Sequence, residues 1–103
     1  MPEFSTPYSA KKSEKILNHQ ELVRAIRFSI AAEFEAIQLY EEISESIDNK
    51  EAKLLLDEIA EDEKVHVGNF LKLLKILAPE EKESYKEGWE EAEQILNGKK
   101  DDD

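Results

Sequence analysis

The feature that most limits the fold of this chain is a pair of long apolar repeats on either side of Asp48-Asn49-Lys50. In each repeat, apolar side chains recur at alternating intervals of three and four residues, which places them along one side of an α-helix. The first repeat holds Val23, Ile26, Ile30, Ile37, Tyr40 and Ile47, and the second holds Ala52, Leu56, Ile59, Phe70, Leu73 and Leu77. Because the polar segment between them is short, the repeats predict two antiparallel helices that face each other.

Local signals predict where these helices begin and end. Asn18 and Glu21 have the spacing of a capping box, so the first helix is expected from about residue 18 to Ile47. The second is expected from about Lys50 to Leu77. The sequence therefore predicts an all-α protein built on a helical hairpin.

A shorter third helix is predicted after Pro79, because proline and acidic residues suit the first turn of a helix. It should run to about Leu96 and stop at Gly98. Its sparse apolar side looks too polar for a core helix. We therefore expect Tyr85 and Trp89 to pack against the hairpin or a neighbouring chain, rather than to bind a cofactor.

Three polar residues interrupt the apolar repeats: Glu33 in the first, and Glu63 and His66 in the second. An ionised carboxylate in a core costs several kcal/mol unless it is paired or bound to a cation. Residues three apart share one side of a helix, so Glu63 and His66 can reach one point in space. Counted from the turn near Asn49, Glu33 lies at the same level of the hairpin, so the three side chains should converge.

This combination matches half of a known type of metal site. A carboxylate-bridged di-iron or di-manganese centre takes one Glu from each of two helices and a Glu-x-x-His from each of the other two. The chain supplies one of each, so the economical completion is a homodimer whose two hairpins form a four-helix bundle. Carboxylates with one imidazole per metal suit iron, and also manganese, better than copper or structural zinc. The chemistry indicated is oxidation of Fe(II) to Fe(III).

Other titratable residues receive lesser roles. Glu35 points away from Glu33, and if it binds iron it does so at a secondary site through which iron enters or passes. Tyr40 shares the stripe of Glu33 and could hydrogen-bond a ligand. His19 is expected at the surface, as is an acidic face made of Asp57, Glu58, Glu61 and Asp62. The competing interpretation of the three ligand candidates is a buried Glu33–His66 ion pair with Glu63 in solvent.

Composition narrows the classes of partner. The net charge of −11 disfavours nucleic acid and anionic membrane surfaces and suits cations. With no cysteine, the chain can form no thiolate site or iron–sulfur cluster, so any metal must be held by carboxylates and histidines. No stretch reads as a secretory signal or transmembrane span, and the expected compartment is the cytosol.

Two segments carry a family resemblance, Ala32-Glu33-Phe34-Glu35-Ala36-Ile37 with Leu39-Tyr40, and Asp62-Glu63-Lys64-Val65-His66. Together they resemble the encapsulated ferritins, short ferritin-like proteins housed in encapsulin nanocompartments. The resemblance covers about residues 20 to 90. It implies a ferroxidase centre shared between subunits, formed by Glu33, Glu63 and His66 with Tyr40 nearby.

The resemblance also implies a ring-shaped decamer of five dimers that oxidises iron and delivers it for mineral storage inside the shell. Two departures stand out. Ala32 and Leu39 occupy positions where bacterial cargo members are expected to carry an acid and a tryptophan, which reduces the accessory site to Glu35 and its symmetry mates. No cargo-docking peptide is evident, which is expected either if this sequence is a truncated form of the protein or if the domain is fused to the shell protein, as in similar archaeal relatives.

The sequence thus predicts a ferritin-like helical domain over residues 18–97, an extended or disordered lead over 1–17 and a charged tail over 98–103. Its predicted function is that of an iron-oxidising ferroxidase acting with dioxygen inside an encapsulin shell. One alternative is another di-iron or di-manganese oxidase or peroxidase. The other is a non-catalytic helical adaptor whose core polar residues set the register of a dimer.

Overall fold

The computed structural model describes the backbone of residues 16–102 and the side chains of residues 16–98. Within that range the chain forms three helices and no strand: α1 (His19–Glu45), α2 (Lys50–Leu77) and α3 (Glu81–Asp102). The all-α prediction is confirmed. Except for residues 16 and 17, the predicted lead lies outside the described residues, as does residue 103.

The caps of the first two helices follow from their sequences. The Asn18 side chain accepts a hydrogen bond from the Glu21 backbone N–H at 2.9 Å, and the Glu21 carboxylate accepts one from the Asn18 N–H at 3.1 Å. This is the predicted capping box, which satisfies two backbone donors that the first turn leaves free. Asn49 caps α2 in the same manner by accepting from the Ala52 N–H at 3.0 Å. The α1 helix ends at Glu45 rather than near Ile47, because Ser46 forms its C-cap.

The hairpin is held together by rows of side chains that recur every seven residues. An inner row on α1 contains Val23, Ile30, Ile37 and Ser44, and on α2 it contains Ala60, Val67 and Leu74; all of these except the half-buried Ile30 are buried. A middle row contains Ile26, Glu33, Tyr40 and Ile47, and faces Leu56, Glu63, Phe70 and Leu77; apart from the buried Ile26, these are half-buried. Seven residues correspond to nearly two turns, so each row runs along one side of its helix.

The side of α2 that contacts α1 differs by one row from the predicted side. The apolar repeat predicts that Ile59, His66 and Leu73 contact α1, but Ile59 is 42% exposed and Leu73 is 37% exposed. Small or branched residues one position further along, Ala60, Val67 and Leu74, make that contact instead. The apolar arc of α2 is therefore wider than one partner helix can cover, and its outer edge remains exposed in the single chain.

That outer edge has a counterpart on α1. The outer row of α2 is Ala52, Ile59, His66 and Leu73, and the corresponding row of α1 is Leu22, Ser29, Ala36 and Ile43. Leu22 and Ile43 are 36% and 38% exposed. Viewed from the N-terminus of each helix, the outer row is rotated from the inner row in the same direction on α1 and on α2. Because the two helices are antiparallel, this rotation places both outer rows on one face of the hairpin. We call this face the outer face.

The α3 helix leaves the hairpin as an arm. It continues through Gly98 to Asp102, so the prediction that Gly98 would stop it is wrong. None of the glycines in the described range has the positive φ of a helix stop. Trp89 is 73% exposed and does not pack on the hairpin, whereas Tyr85 lines a groove with Leu71 and Leu74.

One polar link joins α1 to the start of α3. The Arg27 guanidinium and the Tyr85 hydroxyl both donate to the Glu81 carboxylate. The Tyr85 hydrogen bond, with a smaller contribution from Arg27, lowers the pKa of Glu81, and the same bond raises the pKa of Tyr85. None of the helices in the described range is long and apolar enough to cross a membrane.

Candidate metal centre

The three predicted ligand candidates do converge. One possible donor atom from each of Glu33, Glu63 and His66 lies within 4.8 Å of the other two. The Nδ1 atom of His66 is 3.7 Å from Oε2 of Glu33 and 3.7 Å from Oε1 of Glu63. The two helices thus bring together residues thirty or more positions apart, as the level of Glu33 in the hairpin predicted.

The position of each side chain follows from its row. Glu33 and Glu63 belong to the middle rows, and their side chains are 19% and 20% exposed. His66 belongs to the outer row and its side chain is 50% exposed. The site is therefore closed by apolar packing on the α1–α2 side and open toward the outer face.

Glu33 has a buried carboxylate oxygen, Oε2, that lacks a hydrogen-bond partner among the described residues. A buried carboxylate oxygen without a donor is destabilising by about 1–3 kcal/mol. The competing interpretation, in which Glu33 and His66 form a closed ion pair and Glu63 is solvated, is wrong for Glu63, since its side chain is only 20% exposed and lies as close to His66 as Glu33 does.

The donor set suits a transition-metal ion. Two donors that share an ion at about 2.1 Å each lie at most about 4.2 Å apart, and both His66 distances meet that limit. Two carboxylates and one imidazole match iron or manganese chemistry. With only three donors from one chain, positions on an ion would stay open for further ligands.

The lesser candidates lie around this group without joining it. Glu35 is exposed and lines the same groove of α1 as Glu33, Leu39 and Tyr40. Within the described range, Tyr40 donates no hydrogen bond to Glu33, although it lies in the same row. His19 is exposed in the first turn of α1, as expected for a surface residue.

Polar contacts between the helices around Lys64 and around Ser44 were not predicted. Lys64 is 3.4 Å from the Glu41 carboxylate on α1 and 3.0 Å from Glu61 on its own helix. The hydrogen bond that Lys64 donates to Glu61, followed by the one that it donates to Glu41, raises the pKa of Lys64. The other contact joins Ser44 to Asp57, which is exposed as expected but also accepts a hydrogen bond from the Ser44 hydroxyl. The signal for it was available, because Ser44 occupies the inner row of Val23, Ile30 and Ile37.

Comparison with known proteins places this arrangement in a family. The family model described as Rubrerythrin matches residues 24–100. The crystal structure of the encapsulated ferritin domain from Pyrococcus furiosus aligns with a TM-score of 0.78 and 34% sequence identity, covering 82% of this chain and 86% of that one.

Two curated proteins are similar in sequence. The ferritin-like-encapsulin shell fusion protein of Pyrococcus furiosus is 35% identical over 82 residues, which is 80% of this chain and 24% of that protein. The encapsulin nanocompartment cargo protein EncC of Myxococcus xanthus is 37% identical over 78 residues, which is 76% of this chain and 60% of that protein. This chain thus corresponds to a part of each curated relative. It belongs to the rubrerythrin family of ferritin-like proteins and, within that family, to the encapsulated ferritins.

Proposed function

We propose that two copies of this chain form a ferroxidase, in which Glu33, Glu63 and His66 of each copy bind Fe(II) and promote its oxidation by dioxygen. The observation that carries the proposal is the buried, unpartnered Oε2 of Glu33 beside Glu63 and His66. A cation at this point would provide a close partner, which Oε2 lacks because Nδ1 of His66, at 3.7 Å, lies beyond hydrogen-bond distance.

The dimer is supported by the outer face. Leu22, Ile43, Ile59 and Leu73 are each between 36% and 42% exposed on a face that also presents His66. A second hairpin on this face would bury these side chains and complete a four-helix core. It would also bring a second Glu and a second Glu-x-x-His to the open side of the site. A two-fold axis between the two half-sites gives the symmetric pair of metal positions that this type of centre requires.

Each residue has a definite part in the proposed reaction. Fe(II) is the substrate, and dioxygen accepts its electrons. The negative charges of Glu33 and Glu63 stabilise Fe(III) more than Fe(II), because the attraction grows with the charge on the ion. The low exposure of both carboxylates strengthens that preference by limiting solvent screening. His66 provides an imidazole nitrogen donor at the open edge, where substrate arrives.

The setting of the reaction is inferred from the relatives. Their names describe an encapsulin cargo protein, a fusion to an encapsulin shell and an encapsulated ferritin domain. We infer that this chain likewise works inside an encapsulin shell. Following the family resemblance, we propose that it acts there, in the cytoplasm, as a ring of five dimers and passes Fe(III) to mineral stored in the shell. The net charge of −11 favours the binding and passage of cations.

The test is oxygen-dependent Fe(II) oxidation by the purified protein, followed by the ferric absorbance and by oxygen consumption. We expect E63A and H66A to lose at least nine-tenths of the rate above the uncatalysed background. The matched control is E58A, which removes an exposed carboxylate of the same helix. Equal rates for the wild type and E63A would overturn the proposal.

A second candidate is a peroxidase that uses the same residues, and the match to the rubrerythrin family favours considering it. It predicts that hydrogen peroxide oxidises the iron-loaded protein much faster than dioxygen does. The chain contains no cysteine, so it cannot provide a thiolate-ligated iron centre from its own residues. A helical adaptor, by contrast, predicts that no metal binds and that E33A and H66A leave assembly unchanged.

A further inference from the structure

A polar cluster around the buried Ser44 joins the two hairpin helices close to their connection. Ser44 is 2% exposed and lies in an inner row that is otherwise apolar. Its hydroxyl donates a hydrogen bond to Oδ1 of Asp57 at 2.5 Å. The ammonium group of Lys53 donates to the Ser44 carbonyl oxygen at 2.7 Å and lies 3.5 Å from the Ser44 hydroxyl oxygen.

This serine differs from an ordinary serine in a helix. Ser29 also lies on α1, but its hydroxyl donates at 2.9 Å to the carbonyl oxygen of Ala25, four residues earlier on the same helix. Ser44 instead bonds to a carboxylate of the other helix, and a short O–H···O⁻ bond is among the stronger hydrogen bonds in proteins. An apolar residue would fill this inner-row position without the cost of burying a hydroxyl. The cluster therefore ties α1 to α2 at one defined level.

The metal centre lies at the same distance from this cluster along both helices. Ser44 contacts both Lys53 and Asp57, and it therefore lies opposite the midpoint between them on α2, which is residue 55. Glu33 precedes Ser44 by eleven residues, and His66 follows residue 55 by eleven residues. Eleven residues make about three turns and about 16 Å, so equal steps along both helices bring Glu33 and His66 level with each other.

We propose that Ser44 is a positioning residue, which fixes the axial register of the hairpin through Asp57 and Lys53 and so holds Glu33 at the height of Glu63 and His66. The register matters because Glu33 is the donor that α1 supplies. Its Oε2 atom lies 3.7 Å from Nδ1 of His66, about 0.5 Å inside the limit of about 4.2 Å for donors that share an ion. A slide of α1 along α2 would move Glu33 away from the level of both α2 donors. The inference rests on the proposed function only in taking these residues to bind a metal.

The experiment compares Co(II) binding by the full chain in the wild type, S44A, D57A, D57N and S29A. Co(II) serves as the probe because its visible absorbance reports both occupancy and the arrangement of ligands. We expect S44A and D57A to weaken Co(II) binding at least tenfold and to change the shape of the spectrum. D57N should stay close to the wild type, since the amide oxygen still accepts the Ser44 hydrogen bond. S29A should also match the wild type, because its bond lies within one helix.

Thermal unfolding of the metal-free proteins separates positioning from stability. If S44A and D57A lower the melting temperature but bind Co(II) with the affinity and spectrum of S29A, the register proposal is overturned. If S44A does not fold, D57A decides, since Asp57 is exposed and its truncation leaves no buried cavity. A wild type that binds no Co(II) and no Fe(II) would overturn the proposed function, and this inference with it.

Discussion

Replacement of Glu33 by methionine should stabilise the metal-free protein while it abolishes metal binding. Methionine keeps the unbranched shape and the helix propensity of glutamate but removes the charge. The Oε2 atom of Glu33 is buried without a hydrogen-bond donor, which costs about 1–3 kcal/mol. Since the Glu33 side chain remains 19% exposed, the lower part of that range applies, about 1–2 kcal/mol. For a domain of this size, that gain raises the melting temperature by about 5–10 °C.

The assay is thermal unfolding of E33M and the wild type with a chelator present, at equal protein concentration because the proposed dimer links stability to concentration. E58M is the matched control, because Glu58 is an exposed glutamate in the hairpin, and its replacement should change stability by less than about 0.5 kcal/mol. Excess Fe(II), kept free of oxygen, should then stabilise the wild type and leave E33M unchanged. A metal-free E33M that is less stable than the wild type by about 1 kcal/mol would refute the reasoning, because Glu33 would then already have a stabilising partner.

Two further predictions concern the outer face and the α3 junction. I59E places a charge in the centre of the outer face and should raise the dimer dissociation constant at least about a hundredfold. V65E, which lies outside both outer rows, should leave that constant unchanged. Sedimentation velocity measures both variants, and equal effects would contradict the assignment of the outer face as the dimer interface. E81A should lower the pKa of Tyr85 toward 10.0, since the hydrogen bond to Glu81 is the main cause of its elevation; tyrosinate absorbance, with Y85F identifying the residue, would show no change if the bond is absent. Because the pKa of Glu81 lies below its ordinary 4.5, the ion pair with Arg27 should persist at pH 4.5 and be lost only as the pH falls through the lowered pKa. An NMR pH titration of the Glu81 carboxyl group measures this pKa.

The sequence predicted the hairpin and the convergence of Glu33, Glu63 and His66 because both follow from local rules. Capping by Asn18 and Asn49 and a short connection determine where the helices lie along the chain. Once the helices are antiparallel, distance from the turn sets the level of each residue. Neither step requires knowledge of side-chain packing.

The orientation of α2 about its axis was harder to predict, because its apolar arc is wide enough to face two neighbours. Ile59 and Ala60 are both apolar, and only packing against α1 shows that Ala60 is buried and Ile59 is not. The end of α3 was missed for a related reason. Gly98 acts as a stop only where the chain turns there, and here it remains helical. The row that Ser44 shares with Val23, Ile30 and Ile37 indicated a buried hydroxyl, but its partner Asp57 depends on a contact between helices, which no local pattern specifies.

The measurement that tests the central claim most directly is native mass spectrometry of the protein loaded with Fe(II) without oxygen, with iron counted separately in each assembly state. Because each chain holds half of a two-metal centre, we predict about one iron per chain in dimers and larger assemblies and none in the monomer. The same experiment on E63A should show dimers without iron. Monomers that hold as much iron per chain as dimers, or wild-type dimers that hold none, would contradict the account.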